Sequence, residues 1–156
     1  MTDSRTLDAV KAAFDTEGAA GALKWLNAGV SHRYSAVYTL DGGRLRNVLL
    51  HDKAGEVRPD YLAEVAFESS FCQFVMRDGH FATTDSGTDR RLDGHPYQGV
   101  MVSYHGVPIL RSGEIWGTLC HFDVASQPLT DDEFDLLRQA ASISPGFAAE
   151  SPLTAA

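Results

Sequence analysis

A chain of 156 residues, 44% of them hydrophobic and 22% charged, has the size and balance of one globular domain able to bury a core. Its net charge of −8 and its scattered basic residues, with Arg90-Arg91 the closest group, exclude the clustered cations that phosphate binding needs; no nucleic-acid partner is expected. No apolar run approaches the ~20 residues that span a bilayer, and MTDSRTLDAV lacks the apolar core of a secretory signal, so no membrane partner is expected and the cytoplasm is the expected compartment.

Leu7, Val10 and Phe14, then Leu23, Leu26 and Val30, are spaced for one helical face, with Gly18 and Gly21 between them. This predicts a kinked helix or two helices, ending near Gly29. Trp25 falls off the apolar stripe and is a candidate contact for another element or subunit. From His32 to Leu40 the period changes to alternation, and Asp41-Gly42-Gly43 turns the chain into a returning strand, Arg44 to Asp52.

Lys53 to Pro59 reads as a loop. Tyr61 to Phe67 fits a helix or a strand, and the run from Ser69 to Met76 suits a short helix begun by a serine cap. Asp78-Gly79 leads into a short strand, His80 to Thr84. Asp85 to Gly99 is polar and long, with a short helix expected around Arg90 to Asp93; such segments between strands tend to be functional lids.

Tyr104 to Asp123 forms two strand-like runs around the turn Arg111-Ser112-Gly113-Glu114, and its alternation breaks at Gly106, Pro108 and Gly117. Glycines inside strands mark a bulge or a close approach by backbone or ligand. The last helix is signalled by the capping box Thr130-Asp131-Asp132-Glu133, with Leu129 and Phe134 at the staple positions. Pro145 and Gly146 should stop it, giving a single domain over residues 1–146 and a disordered tail over 147–156. The order of elements predicts an α+β domain: a central antiparallel sheet, helices from both termini on one face, and the middle segment, Tyr61 to Gly99, on the other.

SFCQFVMRDGHFATTDS, then YHGVPILRSGEIWGTLCHFD, then PLTDDEFDLLRQAA, in that order and spacing, resemble the GAF domain family over about Ala19 to Ser144. The resemblance implies a GAF/PAS-like sheet of five or six strands with a small-molecule pocket and lid opposite the terminal helices. It also implies a sensory or regulatory function in signal transduction. Many relatives sit beside an output domain and dimerise through the terminal helices; here a separate signalling partner and a homodimer through those helices are expected. Relatives often carry His two residues beyond the cysteine of Ser-Phe-Cys, where this chain has Phe74, which points to a partly apolar or planar ligand.

The expected ligand-binding set is Phe71, Cys72, Phe74, Val75, Thr84, Asp85, Arg90, Arg91, His95, Tyr97 and Tyr104, a mainly apolar wall with a few polar groups. Cys72 and Cys120 lack CxxC spacing, which argues against a structural zinc site. Their plain reading is buried reduced thiols; the alternative is a thiol-based redox enzyme resembling the methionine sulfoxide reductases of the family, although the cysteine set of those proteins is missing. A further alternative is an interaction module without a ligand. His80, His95, His105 and His121 show no HxxxH spacing, so neither metal nor haem is expected. The segment in which bilin-binding relatives carry their attachment cysteine, Asp85 to Gly99, has none, and bilin is set aside. Without a P-loop, a GxSxG elbow or a GxGxxG loop, no catalytic residue is assigned.

Overall fold

The computed structural model of the chain describes residues 5–143 and 146–149. Helix α1 spans Leu7–Ala28 and opens at Thr6, whose hydroxyl accepts the Ala9 N–H at 3.3 Å. Its kink falls at Gly18, where φ is +75°, a conformation that glycine adopts without a Cβ penalty. Strands β1 (Tyr34–Asp41) and β2 (Arg44–Asp52) form the expected hairpin, with Gly42 and Gly43 both at positive φ.

The ambiguous stretch after Pro59 divides into α2 (Asp60–Ala63), the edge strand β3 (Glu64–Ala66), a 3-10 turn at Phe67–Ser69 and α3 (Cys72–Asp78). The cap position of α3 falls on Phe71, which has no capping side chain; Ser70, one residue earlier, accepts the Gln73 N–H at 3.2 Å, and Gly79 ends α3 in the left-handed region. After β4 (Phe81–Thr83), two 3-10 turns, Ser86–Thr88 and Arg90–Leu92, punctuate the polar loop. β5 (Ser103–Arg111), β6 (Glu114–Asp123) and α4 (Asp131–Ala141) follow. Phe147–Ala149 form a further 3-10 turn, and Phe147 is buried edge-on against Phe14 at 4.7 Å. The expected disordered tail is thus corrected at its start, where an aromatic ring finds a place in the core; Pro145 and residues 150–156 lie outside the described residues.

The six strands pair in the order β3-β2-β1-β6-β5-β4, every pair antiparallel. This is the expected α+β fold, and alternation along its middle strands serves two cores. Val37, Val107 and Leu119 face α1 and α4, packing with Leu23, Leu26 and Leu137. Tyr34, Tyr38, Cys120 and Phe122 face the other way, onto Phe71, Val75 and Leu92 of the middle segment. Burial of apolar side chains on both faces is the main stabilising term. Among the described residues, no helix is long and apolar enough to cross a membrane.

Arg5 locks the two terminal helices together. Its guanidinium donates to both carboxylate oxygens of Glu133 at 2.9 Å, to the carbonyls of Trp25 and Leu26, and lies 3.9 Å above the Trp25 ring. Trp25 leaves the apolar stripe because it is the shelf for this cation. Thr130 caps α4 through the Glu133 N–H at 3.2 Å, but the Glu133 carboxylate turns to Arg5, so only half of the capping box is closed.

The two strand glycines have different causes. A Cβ on Gly117 would lie 1.9 Å from the Tyr38 carbonyl oxygen and 2.9 Å from Thr39 Cα, so β1 passes too close for any side chain. At Gly106 the space is taken by the Tyr104 ring, whose hydroxyl oxygen would be 2.7 Å from an added Cβ. Gly117→Ala is expected to destabilise the fold by about 3 kcal/mol or more, because backbone must move. Equilibrium urea unfolding of the variant beside wild type measures this directly.

Candidate functional site

Between the sheet and the middle segment lies a half-enclosed cavity of about 60 Å³. Its walls are Tyr38 of β1, Leu45 of β2, Leu62 of α2, Val65 of β3, Ser70, Phe71 and Cys72 at the start of α3, Tyr97 and Met101 from the loop before β5, Tyr104 of β5 and Phe122 of β6. Period-two alternation places the strand residues here: Tyr38, Tyr104 and Phe122 point away from the terminal helices for the same reason that Val37 and Leu119 point towards them. Tyr104 and Phe122 lie near-parallel, 21° between planes, and Phe71 meets Tyr104 edge-on at 81°.

The polar atoms of the wall are largely spent on one another. Tyr38 donates to the Leu62 carbonyl at 2.7 Å, Ser70 to that of Phe67 at 2.7 Å, and the Cys72 thiol lies 3.2 Å from the Tyr104 hydroxyl and 3.3 Å from that of Thr118. Burial pushes the Cys72 and Cys120 thiols up, and the Tyr104 phenol well up, so all three are neutral at physiological pH. The Tyr97 hydroxyl makes no hydrogen bond to any described residue. No charged side chain is among the described lining residues.

The segment 85–99 reaches the cavity through Tyr97 and is pinned at several points. Ser86 donates to the Met101 carbonyl at 2.7 Å and accepts the Gly99 N–H at 2.9 Å, and Leu92 is buried. His95 Nδ1 accepts the Tyr97 N–H at 3.1 Å; its Nε2 then carries the proton and makes a long contact, 3.4 Å, to the Ser70 carbonyl.

The sequence model of the GAF domain family matches residues 5–143, nearly the whole described body. The chain belongs to the GAF domain family. No curated protein matches it in sequence. Among solved structures, the GAF domain of an Acinetobacter phosphoenolpyruvate-protein phosphotransferase is 12% identical, with 90% of each chain covered and a TM-score of 0.69. A type II free methionine-R-sulfoxide reductase from Thermoplasma acidophilum is 15% identical over 85% of this chain and 89% of its own, with a TM-score of 0.64. The phycocyanobilin-bound GAF domain of a cyanobacterial phytochrome is 13% identical over 90% of this chain and 91% of its own, with a TM-score of 0.67. At these identities the likeness is one of fold.

In this GAF domain Phe71, Cys72, Tyr97 and Tyr104 of the expected site line the cavity. The others stand back from it. Phe74 packs between Phe81 and His95, with Arg77 over its ring, so it supports Phe71 rather than forming the wall. Val75 is buried on the inner side of α3, and Asp85 caps the first lid turn by accepting the Gly87 N–H. Thr84 and Arg90 are exposed. Arg91 is held by Asp89 at 2.5 Å and by the Ala82 carbonyl, above the Phe81 ring; this pairing lowers the Asp89 carboxyl to about 2. Neither of the two arginines of the expected set is therefore among the residues that line the cavity. Tyr38, Leu45, Leu62, Val65, Ser70, Met101 and Phe122 were not anticipated; the alternation of β1 and β6 carried the signal for Tyr38 and Phe122.

The histidines separate. His80 is exposed beside Phe134, and His95 serves the lid. His105 and His121 meet His32 on the helix face: His32 Nε2 is 3.0 Å from His105 Nδ1, and His121 Nδ1 is 2.5 Å from the Ser35 hydroxyl, which also accepts from Asn27. Among the described residues no group of three or more metal-binding side chains is arranged to hold an ion. Lys53 closes the network, donating to the Asn27 side chain and to the carbonyls of Asn27, Val30 and His32 at the end of α1, where carbonyls lack helical partners. Burial lowers His32 and His105 to about 4 and holds His121 well below the usual imidazole range, with Asp123 the one nearby group that opposes the shift at His32.

These histidines are neutral in the fold down to about pH 4, whereas in the unfolded chain they ionise near 6.5. Their contribution is complete above pH 6.5 and is lost as the pH falls towards 4, by at most about 3 kcal/mol for each of His32 and His105. Urea midpoints measured from pH 7.5 to 4.5 should fall steadily through this window, and His105→Gln should flatten the slope.

Proposed function

We propose that this GAF domain is a small-molecule-binding sensory module, acting in the cytoplasm in signal transduction through a separate signalling protein. The observation that carries the reading is the half-enclosed, aromatic-walled cavity between the sheet and the segment 85–99. A second feature supports it. The strands that wall the cavity with Tyr104 and Phe122 present His105 and His121 on their other face, in the network that holds the end of α1. A ligand that prefers one placement of β5 or β6 therefore biases α1 as well. The outer sides of the terminal helices are the proposed contact for a partner or a second copy. The exposed Asp131, Asp132 and Asp135 of α4 make such a contact salt-dependent.

A thermal-shift screen against a broad metabolite library tests the reading. A specific ligand at a hundredfold its Kd should raise Tm by about 5–10 °C. Val65→Trp, which places a large ring in the cavity from the edge strand, should abolish that rise while the unliganded protein stays folded. If no compound stabilises the wild type, the sensory reading fails.

The thiol-redox alternative has less support, because both thiols are buried and held protonated, the opposite of a reactive cysteine. Titration with a thiol reagent at neutral pH is expected to find both cysteines unreactive in the native protein and both reactive after unfolding. A thiol that reacts rapidly in the native state would revive the enzyme reading.

A further inference from the structure

We infer that the cavity takes an uncharged, planar, single-ring molecule, with the Tyr97 hydroxyl as its hydrogen-bonding contact. The inference rests on reading the cavity as the ligand site and adds the chemistry of what enters it. Three observations converge.

The first is charge. No charged side chain is among the described lining residues, the Cys72 thiol and Tyr104 phenol are protonated, and Arg91 is tied to Asp89 and the Ala82 carbonyl behind the Phe81 ring. An ion moved into this space would leave water and meet no counter-charge, at a cost that hydrogen bonds to neutral groups do not repay.

The second is shape. Phe122 and Tyr104 lie with their planes 21° apart, and Phe71 stands edge-on to Tyr104. A flat ring can stack on the first pair while meeting the edge of Phe71, the two arrangements that aromatic quadrupoles favour. Met101 and Cys72 add polarisable sulfur to the same wall. The volume fits: the 60 Å³ of free space corresponds to about four to six water-sized positions, the scale of one six-membered ring and not of a nucleotide or a tetrapyrrole.

The third is the distribution of polar atoms. Tyr38 and Ser70 have spent their O–H donors on backbone carbonyls, and Cys72 and Tyr104 pair with each other, so an incoming acceptor would have to break a bond already made. The Tyr97 hydroxyl has no partner among the described residues and comes from the segment 85–99. A ligand hydroxyl or carbonyl oxygen that accepts the Tyr97 O–H would fasten that segment.

The test compares phenol and 2-pyridone with benzoate and benzylammonium by calorimetry and thermal shift on the full chain. Phenol and 2-pyridone should bind, and the two ions should bind at least about tenfold more weakly. Tyr97→Phe should weaken phenol by about 2- to 12-fold and leave toluene unchanged. Benzoate or benzylammonium binding as tightly as phenol would overturn the inference, as would a Tyr97→Phe variant that binds phenol like wild type. If the ring probes fail while a charged or larger metabolite from the screen stabilises the protein, this inference falls and the sensory reading stands. If nothing of either kind binds, both fall.

Discussion

The ladder between β1 and β6 is the seam on which the rest of the molecule depends. Each strand belongs to its own hairpin, and the two hairpins become one sheet only where Tyr34 to Thr39 meet Gly117 to Phe122. The approach at Gly117 is tight enough to forbid a side chain, and both strands are buried on both faces. Partners more than seventy residues apart must therefore find one register. A slip of one residue would exchange the helix-facing and cavity-facing side chains wholesale. Contacts of this separation in sequence also delay folding, since a long loop must close before the ladder rewards it.

Polar groups are admitted to this interior only where they can be matched. Lys53 brings a cation to the end of α1 and finds carbonyl and amide oxygens there; Asn27 and Ser35 link α1 to β1 and reach His121. Neutral imidazoles are tolerated because they need far less compensation than ions. His32 Nδ1 and His121 Nε2 are nevertheless buried without a partner among the described residues, which marks the network as incompletely satisfied. Arg5 is the outer counterpart of this arrangement, with two carboxylate contacts, two carbonyls and a ring face all used at once.

Much of the fold was legible in local signals. Gly42-Gly43, Gly79, Ser112-Gly113 and the Thr130 cap are decisions made within a few residues, and period-two alternation identified the strands. The site was less legible for the reverse reason. Its wall comes from strands, two short helices and a loop, and residue type alone does not say which way a loop residue turns. Arg91 belongs to the expected ligand set by residue type, but Asp89, two residues away, holds it; Phe74 looked like wall, although on α3 it stands behind Phe71. His32 drew no notice because its partners, His105 and His121, lie far along the chain. Phe147 was lost among the small and polar residues of the tail, where nothing local reports that Phe14 awaits it.

The parity of the middle strands has an evolutionary consequence. In β1, β5 and β6 the residues facing the cavity carry even numbers, such as Tyr38, Tyr104, Cys120 and Phe122, and those facing the helices carry odd ones, such as Val37, Val107 and Leu119. Substitutions can thus accumulate in one set without touching the packing of the other. The lining of the cavity can be rewritten one alternate position at a time, while the seat of the terminal helices on the sheet stays as it is.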